Sequence, residues 1–384
     1  MSSALTDLVP LPIVQAPMAG GVSVPQLAAA VSEAGGLGFL AAGYKTADGM
    51  YQEIKTLRAL TSRPFGVNLF MPQPEYPGAS TGSTGAADAA PPAAAAVEVY
   101  AEQLAGEATW YDSELGDPDS GRDDGYEAKL AVLLDNPVPV VSFHFGCPTP
   151  EVIESFARKG TLTLVTATSA EEAQAVERSG AHAVIVQGVE AGGHQGTHRD
   201  DPERDCAGIG LLSLVTQVRE AVALPVVAAG GIMRGSQIAA LLTAGANATQ
   251  LGTAFLATTE SGAHAVHKQA LTDPLFVRTE LTRAFSGRPA RGLLNRFMRE
   301  HGPYAPVAYP EVHHLTSPLR KAAAKAGDAQ GMALWAGQGH RMARRLPAGE
   351  LVEVLAAEIA AAQAEQASAR IGSRGGGQTG SEGR

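Results

Sequence analysis

The chain has 384 residues, 45% hydrophobic and 18% charged, with a formal net charge of −10. That balance belongs to a globular protein with a large core, and its acidity excludes a nucleic-acid backbone, which demands basic patches. Cys147 and Cys206 alone make no disulfide framework and suit a reducing cytoplasm, while the absence of a signal-like start or a bilayer-long apolar run predicts neither secretion nor a membrane.

Short apolar runs recur eight times: Ile13–Met18, Leu37–Ala42, Phe65–Phe70, Val138–Phe145, Thr161–Thr166, Ala183–Gln187, Pro225–Ala229 and Thr249–Phe255. They lack alternation, as parallel strands buried on both faces do. Helical patterns sit between them, at Val24–Ala34, Ala170–Ser179 and Ser236–Ala244, and stop at Gly35, Gly180 and Gly245, the residue type that tolerates the left-handed C-cap. Eight strand–helix units predict an α/β fold, a TIM-type (β/α)8 barrel over residues 8–278. One insertion, 72–136, interrupts it. It holds an Ala/Pro/Gly-rich linker (Ala79–Ala96), an acidic helix (Val97–Leu115) and a returning helix (Tyr126–Leu134). Residues 279–366 read as a C-terminal helical extension packing on the barrel. Its start, Thr279–Pro310, is rich in Arg, Gly and Pro, and helices follow at Leu319–Met342 and Leu351–Gln366; a disordered tail is expected over 367–384.

The active site of such a barrel lies at the C-terminal ends of its strands, with phosphate sites after strands seven and eight. Gly230-Gly231 and Gly252-Thr253 fall there. Glycine lets backbone N–H donors approach a phosphate, and the helix opening near Ser236 would add favourable potential. Together they point to a phosphate-bearing cofactor. After strand six comes Glu190-Ala191-Gly192-Gly193-His194, which places a histidine on the catalytic face, with an ordinary pKa near ~6.5 suited to proton abstraction. A structural loop histidine is the plainer alternative. The His194…His198 spacing suggests no metal, because Gly193 and Gly196 disfavour a helix and no Cys or Glu completes a ligand set. His144, ending strand four, is placed in the pocket wall, and Cys147 reads as packing. Asn68, Gln187 and Gln250 are amides in apolar strands, suited to the edge of a flavin or to an internal hydrogen-bond layer. Gly36–Ala41 matches a dinucleotide pattern, but its glycines lead into a strand and open no helix, so a Rossmann domain is not predicted.

These segments, from Gln15–Val22 through Phe65–Phe70, Val141–Gly146, Gln187–Gly196, Ala228–Ile232 and Gln250–Phe255 to Trp335–Gln338, together resemble the class I nitronate monooxygenases, formerly 2-nitropropane dioxygenases. The resemblance implies an FMN-dependent barrel that oxidises alkyl nitronates, and neutral nitroalkanes after proton removal, with O2 to carbonyl compounds and nitrite. It implies His194 as catalytic base and FMN held by Pro17, Met18, Asn68, Gln187, Gly192, Gly193, Gly230, Gly231, Gln250, Gly252 and Thr253, with His144 and Trp335 in the substrate pocket. The partners expected are the small nitro compound and O2, in a monomer or homodimer. Flavin-dependent NADH:quinone reductases and enoyl-acyl carrier protein reductases are alternatives of the same fold, and a non-catalytic flavin-binding protein is a third.

Overall fold

The structure, a computed structural model, describes residues 8–73, 93–200 and 208–375, with side chains up to residue 369. Eight parallel strands form one sheet: β1 (Ile13–Gln15), β2 (Gly38–Ala41), β3 (Phe65–Phe70), β4 (Val140–His144), β5 (Leu162–Ala167), β6 (Ala183–Gln187), β7 (Val226–Ala229) and β8 (Ala248–Leu251). β8 pairs with β1, and a Val14–Leu37 bridge joins β1 to β2, so the sheet closes into a barrel. The strand expected to run to Phe255 ends at Leu251, and Thr253–Leu256 turns into a short helix.

The unalternated strands cover two apolar faces. Val140, Leu164, Ile185 and Val227 point into the barrel with Val14 and Phe39. Their neighbours Val141, Val165, Val184 and Val226 pack outward against the helices. The period of two is present, but both faces are hydrophobic. Pro25–Glu33 starts on a proline, which fits a first helical turn. Gly35, Gly180 and Gly245 all have positive φ at helix ends, as expected.

The extension differs from the helical expectation in three ways. It opens with antiparallel strands, Thr279–Thr282 and Ala290–Leu293, and the latter pairs with Gly193–His194. The helix placed at Leu319–Met342 is instead Glu311–Lys325, and the chain from Ala326 onward is mostly irregular. The final helix, Ala348–Gly375, runs past Gln366 into the segment expected to be disordered; residues 376–384 lie outside the described residues. Leu351, Val352, Leu355 and Ile359 join the barrel's outer core, between helices Pro25–Glu33 and Gly235–Thr243. This helix therefore fills the eighth helical position, which the four residues Thr253–Leu256 after β8 are too few to cover. The insertion helices Ala93–Gln103 and Ala105–Trp110 form a second core with the extension, through Val97, Tyr100, Leu104, Phe285, Phe297 and Val312. Ala93–Ala96, assigned to the linker by composition, belongs to the first of these helices; the linker's residues up to 92 and Cys206 lie outside the described residues.

Candidate active site

Chemistry changes along the barrel axis. Two residues beyond Val140, Leu164 and Ile185, on the same inward face, stand Ser142, Thr166 and Gln187. With Asn68, His144 and Gln250 they line a cavity of about 1090 Å³ at the C-terminal rim. Every site residue singled out in the sequence lines this cavity, Pro17, Met18, Gly192, Gly193 and Trp335 included.

One side is a backbone cradle. Gly230 and Gly231 have φ of 131° and 68°, where a side chain is strained. Among the described residues, no protein acceptor engages the amides of Gly230, Gly231, Gly252 or Thr253. The Thr253 hydroxyl accepts from Gly337 N at 2.9 Å, which leaves its own proton to donate. The helix N-terminus near Ser236 does not contribute as expected. Glu358 accepts from Gly235 N at 2.6 Å and Gln237 accepts from Met233 N at 2.8 Å, so that helix is already capped by protein. Gly192 is explained by packing, since a Cβ there would lie 2.5 Å from the Ala336 backbone.

The three strand amides divide. Gln187 accepts from Gly196 N at 2.7 Å and donates to His194 O at 3.1 Å, clamping the histidine loop. Asn68 donates to Ser142 Oγ at 3.0 Å, its partner in register across β3 and β4. Gln250 Oε1 is buried with no hydrogen-bond partner, a costly state that a ligand N–H would relieve. Met18 contributes its side chain, because its N–H donates to Ser23 Oγ at 2.8 Å.

His194 lines the same cavity. Its Nε2 lies 2.9 Å from Ser286 Oγ, and that hydroxyl donates to Arg288 O at 3.2 Å. The serine proton is thus used, so His194 donates from Nε2 and keeps Nδ1 as acceptor. Burial, then the positive charge of Arg288 and more weakly that of Arg320, push its pKa down to about 3, well below the ~6.5 expected of a free ring. The ring is neutral at pH 7. His144, bonded to Thr166 Oγ1 at 3.2 Å, is pushed down to about 3 in the same way. His198 is a loop histidine, its Nε2 2.8 Å from Thr166 O.

Of the aromatic and cationic wall around His194, sequence reading named Trp335 and missed the rest. Trp335, Phe145 and Tyr309 lie 5.5, 5.6 and 5.7 Å from its ring centroid. The Arg288 guanidinium sits 4.3 Å over Phe145 and binds the Thr197 carbonyl. Arg320, whose pKa burial lowers to about 10, lines the cavity and donates to His313 O at 2.8 Å. Both arginines belong to the extension and come to the barrel only through tertiary packing. The positive φ of Tyr44 and Phe145, 65° and 71°, has no sequence signature in a non-glycine residue.

Unengaged main-chain donors, a buried amide acceptor and a neutral histidine in one cavity at the strand ends fit a ligand that carries a phosphate and a hydrogen-bonding ring edge. The sequence profile described as nitronate monooxygenase matches residues 2–358. A nitronate monooxygenase of Pseudomonas aeruginosa is 44% identical over 358 residues, 91% of this chain and 96% of that one. One from Paraburkholderia phytofirmans is 41% identical over 352 residues, 91% and 92%. A crystal structure of a nitroalkane oxidase from Streptomyces ansochromogenes superposes with TM-score 0.90 at 77% identity, covering 95% of this chain and 100% of that one. The structure of FabK from Thermotoga maritima does so with TM-score 0.69 at 27% identity, covering 96% and 99%. The chain belongs to the nitronate monooxygenase family, whose members are flavin-dependent oxidoreductases. Among the described residues no helix is long and apolar enough to cross a membrane.

Proposed function

We propose that the protein oxidises alkyl nitronates with O2 to carbonyl compounds and nitrite, with FMN as its flavin, in the cytoplasm. The observation that carries this reading is the pairing, in one cavity, of the free amides at Gly230-Gly231 and Gly252-Thr253 with His194. A terminal phosphate monoester fits the cradle, and Gln250 Oε1 fits the imide N–H of a flavin ring. The flavin, when bound, supplies the electron-accepting chemistry. The protein's part is orientation and charge. Arg288 and Arg320 give the cavity a positive potential that favours an anionic nitronate over a neutral nitroalkane. His194 Nδ1 is the acceptor for an α-proton. Held near pKa 3 it is a weak base, so neutral nitroalkanes are turned over slowly; an anion alongside offsets the arginines and raises its proton affinity.

The test is anaerobic mixing of the purified holoenzyme with ethylnitronate or with NADH, followed by flavin absorbance, and nitrite assay after air is admitted. Bleaching by the nitronate and nitrite release are expected. Bleaching by NADH alone would replace this reading with a reductase.

A further inference from the structure

We propose that Tyr44, held by Asp124 of the insertion, is the specificity-determining residue that sets the length of the substrate's alkyl chain. The inference rests on the nitronate reading for the identity of the substrate head, and on geometry for the rest.

Four aromatic rings close on themselves beside His194. Phe70 meets Tyr44 edge-on at 5.4 Å, and Phe145 at 4.8 Å. Tyr309 meets Phe145 at 5.3 Å. The hydroxyls of Tyr44 and Tyr309 complete the cycle at 3.1 Å, a separation that admits no methylene group. Phe145 and Tyr309 face His194, whereas the far side of Tyr44 stacks on His313 at 3.9 Å and 7°. The His313 carbonyl in turn accepts from Arg320, which lines the same cavity with Lys321. Tyr44 lines it too, as part of the aromatic wall that closes the space beside His194.

Phe70 of the barrel packs against the Tyr44 ring, but the residue's hydrogen bonds come from outside the barrel, from Asp124 and Tyr309. The φ of Tyr44 is 65°, an unfavoured conformation for a bulky residue. Gly43 before it has no room for a side chain, since a Cβ would lie 2.3 Å from the Phe70 ring. The anchor comes from residues 116–125, which lie along the cavity mouth. Asp124 Oδ1 accepts from Tyr44 N at 2.8 Å, and its Oδ2 pairs with the buried Lys129 at 2.6 Å. The segment is tied to helix Glu311–Lys325 by Gly116 N to Leu315 O at 2.9 Å and by His314 Nε2 to Gly121 O at 2.9 Å. Insertion and extension thus jointly fix one ring of the barrel rim. Strain retained at a cavity wall points to use at that wall.

The experiment uses the holoenzyme and straight-chain carboxylates from acetate to hexanoate. These are planar anions with two oxygens, like nitronates, but unreactive, and their binding is read from perturbation of the flavin spectrum. Tyr44→Gly removes the ring and relieves the backbone strain together. It should raise hexanoate affinity relative to acetate by about ten-fold or more, the scale at which a pocket senses added methylenes. Tyr44→Phe keeps the ring and should keep the wild-type ratio. Asp124→Ala should move the ratio as Tyr44→Gly does, and Asp124→Asn, which still accepts from Tyr44 N, should restore it. An unchanged ratio in Tyr44→Gly, with flavin bound and thermal transition intact, overturns the proposal. If Tyr44→Gly does not fold, the Asp124 pair decides by the same ratio. Because carboxylate binding needs no turnover, a failure of the nitronate reading appears only in the anaerobic reduction and leaves this test standing.

Discussion

The two sides of the cavity are built by opposite means. The cradle is main chain: amides of Gly230, Gly231, Gly252 and Thr253 at the ends of β7 and β8, each offered by the barrel itself. The wall is side chain: Tyr44, Phe145, His194, Trp335 and Arg320 line the cavity, with Tyr309 and Arg288 packed against Phe145, gathered from β-strand ends and the extension. A backbone cradle tolerates any sequence that keeps the turn, so it suits a constant cofactor. A side-chain wall can change residue by residue, so it suits a substrate. Affinity for flavin and choice of substrate should then be separable by mutation.

The largest effect is expected on the wall. His194→Gln places an amide where Nε2 donates to Ser286 but cannot take a proton at neutral pH. Activity with neutral nitroalkane should fall about 10²–10⁴-fold, the usual cost of losing a general base, with flavin content unchanged. The loss with preformed nitronate should be far smaller. Steady-state rates with both substrates measure this, and equal losses would assign His194 to positioning.

The cradle breaks differently. Gly231 has φ of 68° and a Cβ there would sit 3.1 Å from Glu190 Cβ. Gly231→Val disfavours this φ by roughly 1–3 kcal/mol, so the flavin-free turn relaxes away from it and flavin, which requires it, should be held about ten- to one-hundred-fold more weakly. Urea unfolding of the flavin-free protein should change far less than flavin affinity does. Undiminished flavin affinity would move the phosphate away from these turns.

The same division decides what the sequence could tell. Gly230-Gly231 and Gly252-Thr253 are local signals, because a turn after a strand is written in adjacent residues. The eight strands were legible for the same reason, with Ala183–Gln187 matching residue for residue. What adjacent residues cannot report is company kept across the chain. The pairing of Ala290 with His194 joins residues far apart in sequence, and nothing in Thr279–Pro310 announces strands. Gln187 looked like a cofactor ligand because a buried amide needs partners, but those partners are Gly196 N and His194 O. The helix near Ser236 looked like a phosphate site because its N-terminus was seen without Glu358, which arrives from the last helix. Composition misled at the C-terminus too, where Ala348–Gly375 is helical through a glycine- and serine-containing end.

The smallest effect, per residue, is the response to acid, to which the four cradle residues contribute nothing and the buried histidines, His144 and His194 with His267 and His313, contribute most. His144 and His194 are both held near pKa 3, first by burial and then by the charge of Arg288. In the unfolded chain each returns to about 6.5. The folded value lies below the unfolded one, so the unfolded state takes up more protons as pH falls. Stability is therefore complete above about pH 6.5 and is lost progressively from there toward pH 3. Between pH 8 and pH 6 each histidine should cost about 1 kcal/mol. Urea unfolding of the holoenzyme at pH 8, 7 and 6 reads the slope, and His144→Asn, which cannot take up the proton, should make it shallower by one histidine's share. Acetate bound beside His194 offsets Arg288 and Arg320, raises the ring's proton affinity in the folded state and should flatten the slope further. A stability that does not change from pH 8 to pH 6 would mean that these rings stay as accessible to protons in the fold as out of it, and that the wall around His194 is open to water.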